Sequence, residues 1–342
     1  MQEKDFKAAL ESHTLRGCYL FAGEEDYLKR YYLSKLREAV VTDEAFAAFN
    51  HILFDGQDTS LAALLDAVKA PPMFTEQKLI EWRYPSFLKM KESDLRTLEE
   101  ILDALPEYDY TVIGIIVADG EVDLGTDKRP GKFAKRFKDR INILSFAKSN
   151  ETQLLSWLKR HFDRERIEVT RESLEALLFR SGKSMDILAS EVVKLSSYLK
   201  ANGMTSLTPE VVREVASSTP EADTFALSNA ILDRNKKAAF DALSDMKRQR
   251  SEPTVIVGMM AKTYSELLAV TMLKEDGLDQ AKIETALGIH PFKVKSYLKA
   301  ARLFKPGAPR AILDELSRVD VGMKFGGVLG YTAIEMFIAK CL

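Results

Sequence analysis

Two cysteines in 342 residues, Cys18 and Cys341 near opposite ends, leave no material for a disulfide framework or a cysteine-held zinc. A reducing compartment suits such usage. The four histidines, His13, His51, His161 and His290, stand apart with no HExxH spacing, and no GxSxG elbow or recognisable carboxylate pair appears. Neither a metal nor a cofactor is expected. Charge of one sign is missing too, since the net is −2. Within it lies a mild asymmetry, 20 basic against 26 acidic residues up to Ile143 and 29 against 25 beyond. That permits nucleic-acid contact in the later part without demanding it. The start, Met1-Gln2-Glu3-Lys4-Asp5, has no apolar signal core. The apolar run Ile113 to Ala118 falls far short of the ~18 residues that span a bilayer. A cytoplasmic protein is the expectation.

What is present begins with alternation. Cys18-Tyr19-Leu20-Phe21-Ala22 is short and continuously apolar, the pattern of a strand buried on both faces. Further strands are predicted at Ile52 to Phe54, Leu79 to Trp82, Val112 to Ala118 and Ile141 to Leu144. Helices fall between them, among them one from Tyr27, Leu61 to Lys69 and Asp94 to Leu105. Such alternation argues a parallel α/β sheet, here with the outline of a P-loop NTPase over residues 1–145.

The phosphate loop itself is missing. GxxxxGK[ST] uses glycines to bring backbone N–H groups to phosphate and a lysine for charge. The first strand-to-helix turn instead offers Gly23 followed by Glu24, Glu25 and Asp26, which would repel a triphosphate. Ser181-Gly182-Lys183-Ser184 ends like the motif but lacks the earlier glycine and a preceding strand. Gly125 to Lys132 is one residue too long between glycines, and Phe133 replaces the hydroxyl. Asp119, after the fourth strand, lacks the acidic pair of a Walker-B site. The nucleotide site is degenerate. The segment Lys128 to Arg140 holds Lys128, Arg129, Lys132, Lys135 and Arg136 around Phe133 and Phe137, an amphipathic helical pattern. A solvated charged face is the ordinary explanation; contact with a phosphate backbone is the functional one.

From Ser149 the strand pattern ceases. Residues 146–216 suit a small all-α domain, with Leu188, Val192, Leu195 and Leu199 as one seam and Thr208-Pro209-Glu210 as a helix start. Residues 217–342 continue as a second all-α domain. Its Val255 to Ala261 run is apolar nearly all round, which places that helix in a core or at an assembly interface.

One stretch of the first domain stands out. The Leu61 to Lys69 helix runs into Ala70-Pro71-Pro72-Met73-Phe74 and must stop, because proline lacks the N–H and clashes with the preceding turn. Met73 and Phe74 are then either plugged into the protein's own core or held out for a partner.

Taken in order, Tyr19-Leu20-Phe21-Ala22-Gly23-Glu24-Glu25-Asp26-Tyr27-Leu28, Pro71-Pro72-Met73-Phe74, Glu191-Val192-Val193-Lys194-Leu195, Leu287-Gly288-Ile289-His290-Pro291-Phe292, and Asp320 with Lys324 resemble the delta subunit of the bacterial DNA polymerase III clamp loader. The resemblance covers essentially the whole chain. It implies a nucleotide-binding-like domain without ATPase activity, a helical lid and a helical collar for oligomerisation. It also implies that Met73 and Phe74, braced by Pro71 and Pro72, enter an apolar pocket of the ring-shaped sliding clamp (beta) and help to open it. Many relatives carry leucine where Met73 stands. The implied partners are the clamp, the loader ATPases (gamma/tau), delta-prime and primer-template DNA. An ATPase of related fold and a helical DNA-binding scaffold are the competing possibilities.

Overall fold

The computed structural model describes residues 1–56, 60–126, 128–233, 235–302, 307–325 and 330–341. The chain forms two compact units, Met1–Asn150 and Glu151–Leu342.

In the first unit the elements run α1 (Glu3–Glu11), β1 (Gly17–Ala22), α2 (Asp26–Val40), α3 (Ala47–Asn50), β2 (His51–Asp55), α4 (Leu61–Lys69), β3 (Lys78–Arg83), α5 (Glu92–Ala104), β4 (Thr111–Ile116), β5 (Gly125–Thr126), β6 (Arg129–Pro130), α6 (Lys132–Phe137) and β7 (Ile141–Ser145). Five strands make a parallel sheet in the order β2-β3-β4-β1-β7. Each expected strand is present. Side chains alternate across a strand, so Leu20, Ile80, Trp82, Ile113 and Ile115 pack with Leu64 and Val68 of α4 and Leu98 and Ile101 of α5. Tyr19, Phe21, Leu79, Val112 and Ile116 pack on the opposite side with Phe6 of α1 and Tyr32, Leu33 and Leu36 of α2. Two apolar layers on one sheet explain why its inner strands read as unbroken apolar runs. Cys18 is buried, and burial pushes its thiol pKa well up.

The basic segment is shorter as a helix than its pattern suggested. Only Lys132–Phe137 is helical, behind the small β5–β6 hairpin, and Asp123 accepts from the Lys132 amide at the helix start. Phe133 and Phe137 do point inward.

The second unit comprises α7 (Glu151–Arg164), β8 (Glu168–Val169), α8 (Arg171–Ser181), α9 (Met185–Ala201), β9 (Ser206–Leu207), α10 (Pro209–Val215), α11 (Pro220–Leu232), α12 (Lys236–Arg248), α13 (Pro253–Glu275), α14 (Gln280–Leu287), α15 (Pro291–Ala301), α16 (Ala308–Phe325) and α17 (Gly330–Cys341). The paired β8 and β9 correct the expectation that strands cease, although each is two residues long. The Thr208 hydroxyl caps α10 from the Val211 amide at 3.4 Å, as the Thr-Pro-Glu start requires. Helix α13 is the only one among the described residues long and apolar enough to cross a membrane. A search for unbroken apolar runs passes over it because Gly258, Lys262 and Ser265 interrupt the sequence. It is a core helix: Ile256, Val257, Met260, Tyr264, Leu267 and Val270 are buried, and it packs on α11, α15, α16 and α17. Val255 remains half-exposed on its other side.

Candidate functional site

Helix α4 ends where the prolines demand, and its end is tied down heavily. The last carbonyls of a helix have no partner within it. Here the Thr111 hydroxyl donates to Val68 O at 3.0 Å and the Tyr110 hydroxyl to Lys69 O at 2.8 Å. The buried Lys78 ammonium donates to Ala67 O and Ala70 O. Burial pushes the Lys78 pKa down to about 8, a value that still leaves the ammonium mostly protonated at neutral pH. The prolines therefore leave from a fixed point.

Beyond them the backbone is held again. The Met73 amide donates to Asn50 Oδ1 at 2.7 Å, and Asn50 Nδ2 donates back to Met73 O at 2.8 Å. Asn50 is itself only 1% exposed. Phe74 then adopts φ +57, a left-handed conformation that bulky L-residues seldom take. Its ring meets Phe46 at 5.1 Å between centroids and is otherwise turned to solvent. Phe74 is 82% exposed and Met73 42%. The question left by the sequence is thus answered: these two side chains are held out, not plugged in. Two large apolar side chains held out side by side are the kind of surface that marks an interaction site.

The turn after β1 is built the opposite way. Counted from Gly23, the GxxxxGK[ST] register places Leu28 at the second glycine, Lys29 at the lysine and Arg30 at the hydroxyl. This lysine is used inside the unit: fully buried, it donates to Val117 O, just past β4, at 2.8 Å and pairs with Asp26 of the turn at 2.7 Å. Asp26 lies inside the first turn of α2, and Glu25 takes the cap position without a side-chain cap bond. Glu25 is 2% exposed; its carboxylate accepts from the Ser149 amide at 3.4 Å and faces Lys148 at 3.6 Å. Negative charge sits where phosphate would.

The lysine of the Ser181–Ser184 stretch is likewise engaged within the chain. Lys183 pairs with Glu151 at 2.9 Å, and Gly182 terminates α8. Of the basic segment, Lys128, Arg129, Lys132 and Lys135 are exposed. Arg136 is engaged by α5: its guanidinium binds Glu92 at 2.9 Å and Glu99 at 2.8 Å, hydrogen bonds that hold its pKa above the usual arginine range. Sequence reasoning missed Asn50, because a hydrogen bond across 23 positions leaves no periodic signal.

Two family models match the chain. One, described as DNA polymerase III, delta subunit, covers residues 19–147, and the other, DNA polymerase III delta subunit, C-terminal domain, covers residues 221–341. DNA polymerase III subunit delta of Bacillus subtilis (strain 168) is 24% identical over 343 residues, spanning 99% of this chain and 96% of that protein. A probable DNA polymerase III subunit delta of Aquifex aeolicus (strain VF5) is 26% identical over 290 residues, 82% of this chain and 79% of that protein. The solved structure of a Bacillus subtilis DNA clamp loader delta protein shares the fold, with a TM-score of 0.56 at 23% identity over 99% of this chain and 98% of that one. With both ends of the chain matched by models of one family and relatives aligned along most of its length, the chain belongs to the DNA polymerase III delta-subunit family.

Proposed function

We propose that this delta subunit binds the sliding clamp through Met73 and Phe74 and favours an opened ring interface, without hydrolysing ATP itself. The observation that carries the proposal is an exposed Phe74 held at positive φ on a loop anchored at both ends. Strained backbone with an apolar side chain facing water persists only where the surroundings over-determine it, and such sites cluster at ligand contacts. Burial of each side chain in a clamp pocket would contribute roughly 1.5–3 kcal/mol before ordering costs, and the anchored loop keeps those costs small. The clamp then shifts between closed and sprung states by as much as its affinity for this loop differs between them.

The ATPase alternative is disfavoured by the buried Glu25 carboxylate and the internally used Lys29. ATP would act in sister subunits of the gamma/tau type. Residues 146–216 serve as the lid and 217–342 as the collar that joins those subunits and delta-prime. The exposed Val255, Met272, Val321, Phe325 and Met336 supply apolar surface for that assembly. Primer-template DNA is contacted through Lys128, Arg129, Lys132 and Lys135, which are exposed.

The test is Met73→Ala/Phe74→Ala in the full chain, measured by surface plasmon resonance against the purified clamp. Affinity should fall about a hundredfold or more while the melting temperature is kept. Wild-type clamp affinity in the double variant would overturn the assignment. Saturable ATP binding by the isolated chain would restore the ATPase alternative.

A further inference from the structure

We infer that the short helical segment Glu44–Asn50 is the template of the docking loop, with Asn50 and Phe46 as its positioning residues. This rests on the clamp-docking function proposed above and adds the device that makes the loop ready to dock.

The segment enters as a 3₁₀ turn, Glu44–Phe46, opened by Asp43 accepting from the Ala45 amide at 2.9 Å, and continues as α3 into β2. Because β2 is registered against β3, with His51 opposite Leu79, the position of Asn50 is set by the sheet. Its amide meets the backbone of Met73 at two points, 2.7 and 2.8 Å. An asparagine offers one acceptor and two donors on one planar group, which suits it to hold both the N–H and the C=O of a single residue. Aspartate would keep the acceptor and set a carboxylate oxygen against Met73 O. One residue later the chain turns to φ +57, and the Phe74 ring meets Phe46 of the same segment. Backbone and ring are thus set from one short stretch. In isolation an exposed loop would relax from the left-handed conformation, which is unfavourable for an L-residue. The template resists that relaxation, so the clamp meets the bound shape already formed.

Asn50→Ala and Asn50→Asp in the full chain provide the test, with Phe46→Ala as the variant that spares the buried amide. Amide hydrogen exchange is read without the clamp, and affinity is read with the purified clamp. The Met73 amide should exchange at least tenfold faster in Asn50→Ala, and less so in Asn50→Asp, which keeps the acceptor, while β3 and β4 amides stay protected. Clamp affinity should fall about tenfold in each, and less in Phe46→Ala. Combined with Met73→Ala/Phe74→Ala, Asn50→Ala should add no further loss, which a general folding role would not reproduce. Unchanged Met73 exchange in Asn50→Ala would overturn the inference, as would a full additive loss on top of the double variant. If Asn50→Ala fails to fold, the same two readouts on Phe46→Ala decide, with wild-type affinity there overturning the template. Failure of clamp docking itself shows separately, as wild-type affinity in Met73→Ala/Phe74→Ala with Met73 exchange still dependent on Asn50.

Discussion

Two turns in the first unit, Gly23–Asp26 and Ala70–Phe74, both pass through positive φ, and they use it for opposite ends. At Gly23 the conformation, φ +101, is a steric necessity: a Cβ there would lie 2.4 Å from Phe146 O and 2.8 Å from Phe146 N. The chain folds tightly on itself, and a carboxylate and a lysine are drawn inward. At Phe74 a full side chain occupies the left-handed region, and the result is a ring aimed at water. One turn is closed on its own charges, with Lys29 bound to Val117 O and Asp26. The other spends polar contacts on the backbone alone, through Asn50, Lys78, Tyr110 and Thr111, so that its apolar side chains stay free. The two turns therefore differ in whether polar groups satisfy side-chain charges or the backbone.

The largest effect expected from breaking this contrast is the collapse of clamp binding in Met73→Ala/Phe74→Ala, at unchanged stability. Next, Gly23→Ala should destabilise the chain by roughly 3 kcal/mol or more, read from urea unfolding, because backbone rather than a pliable side chain obstructs the new methyl. A smaller shift separates Phe74→Gly from Phe74→Ala. Both lose the ring, but glycine accepts φ +57 without strain, so the glycine variant should be about 1 kcal/mol more stable. If alanine is the more stable of the two, Phe74 is not strained in solution.

The smallest effect concerns acid. Glu81 of β3 is buried, which works to raise its pKa, yet the hydrogen bonds from His51 and Arg83 outweigh burial and hold it below the usual carboxylate range. A carboxyl whose folded pKa lies below its unfolded value adds stability above the unfolded value, about 4.5, and loses it as pH falls through the folded one. His51 follows Asn50 directly. Protection of the Met73 amide should therefore weaken on acidification in that window. Glu81→Gln should flatten this acid dependence and leave the Gly23 turn unaffected.

Much of the architecture was legible because it rests on short-range pattern. Apolar runs located every strand of the sheet, and α4 stops where Pro71 and Pro72 said it must. Helix α11 begins at Pro220, where the Thr219 cap and its proline outweigh the polar first turn. The basic segment went the other way, because Pro130 and Gly131 end in a hairpin before the helix begins.

The amino-acid sequence by itself determined the alternation of elements, the departure of the first strand-to-helix turn from the GxxxxGK[ST] pattern, and the placing of two large apolar residues after two prolines. Each is a matter of residue type and spacing along the chain. Only the tertiary structure decided that those two residues face water, that Lys29 is turned inward, and that Asn50 holds Met73. These depend on which distant backbone groups the parallel sheet brings together, and the partner of a buried amide or ammonium is chosen by that proximity.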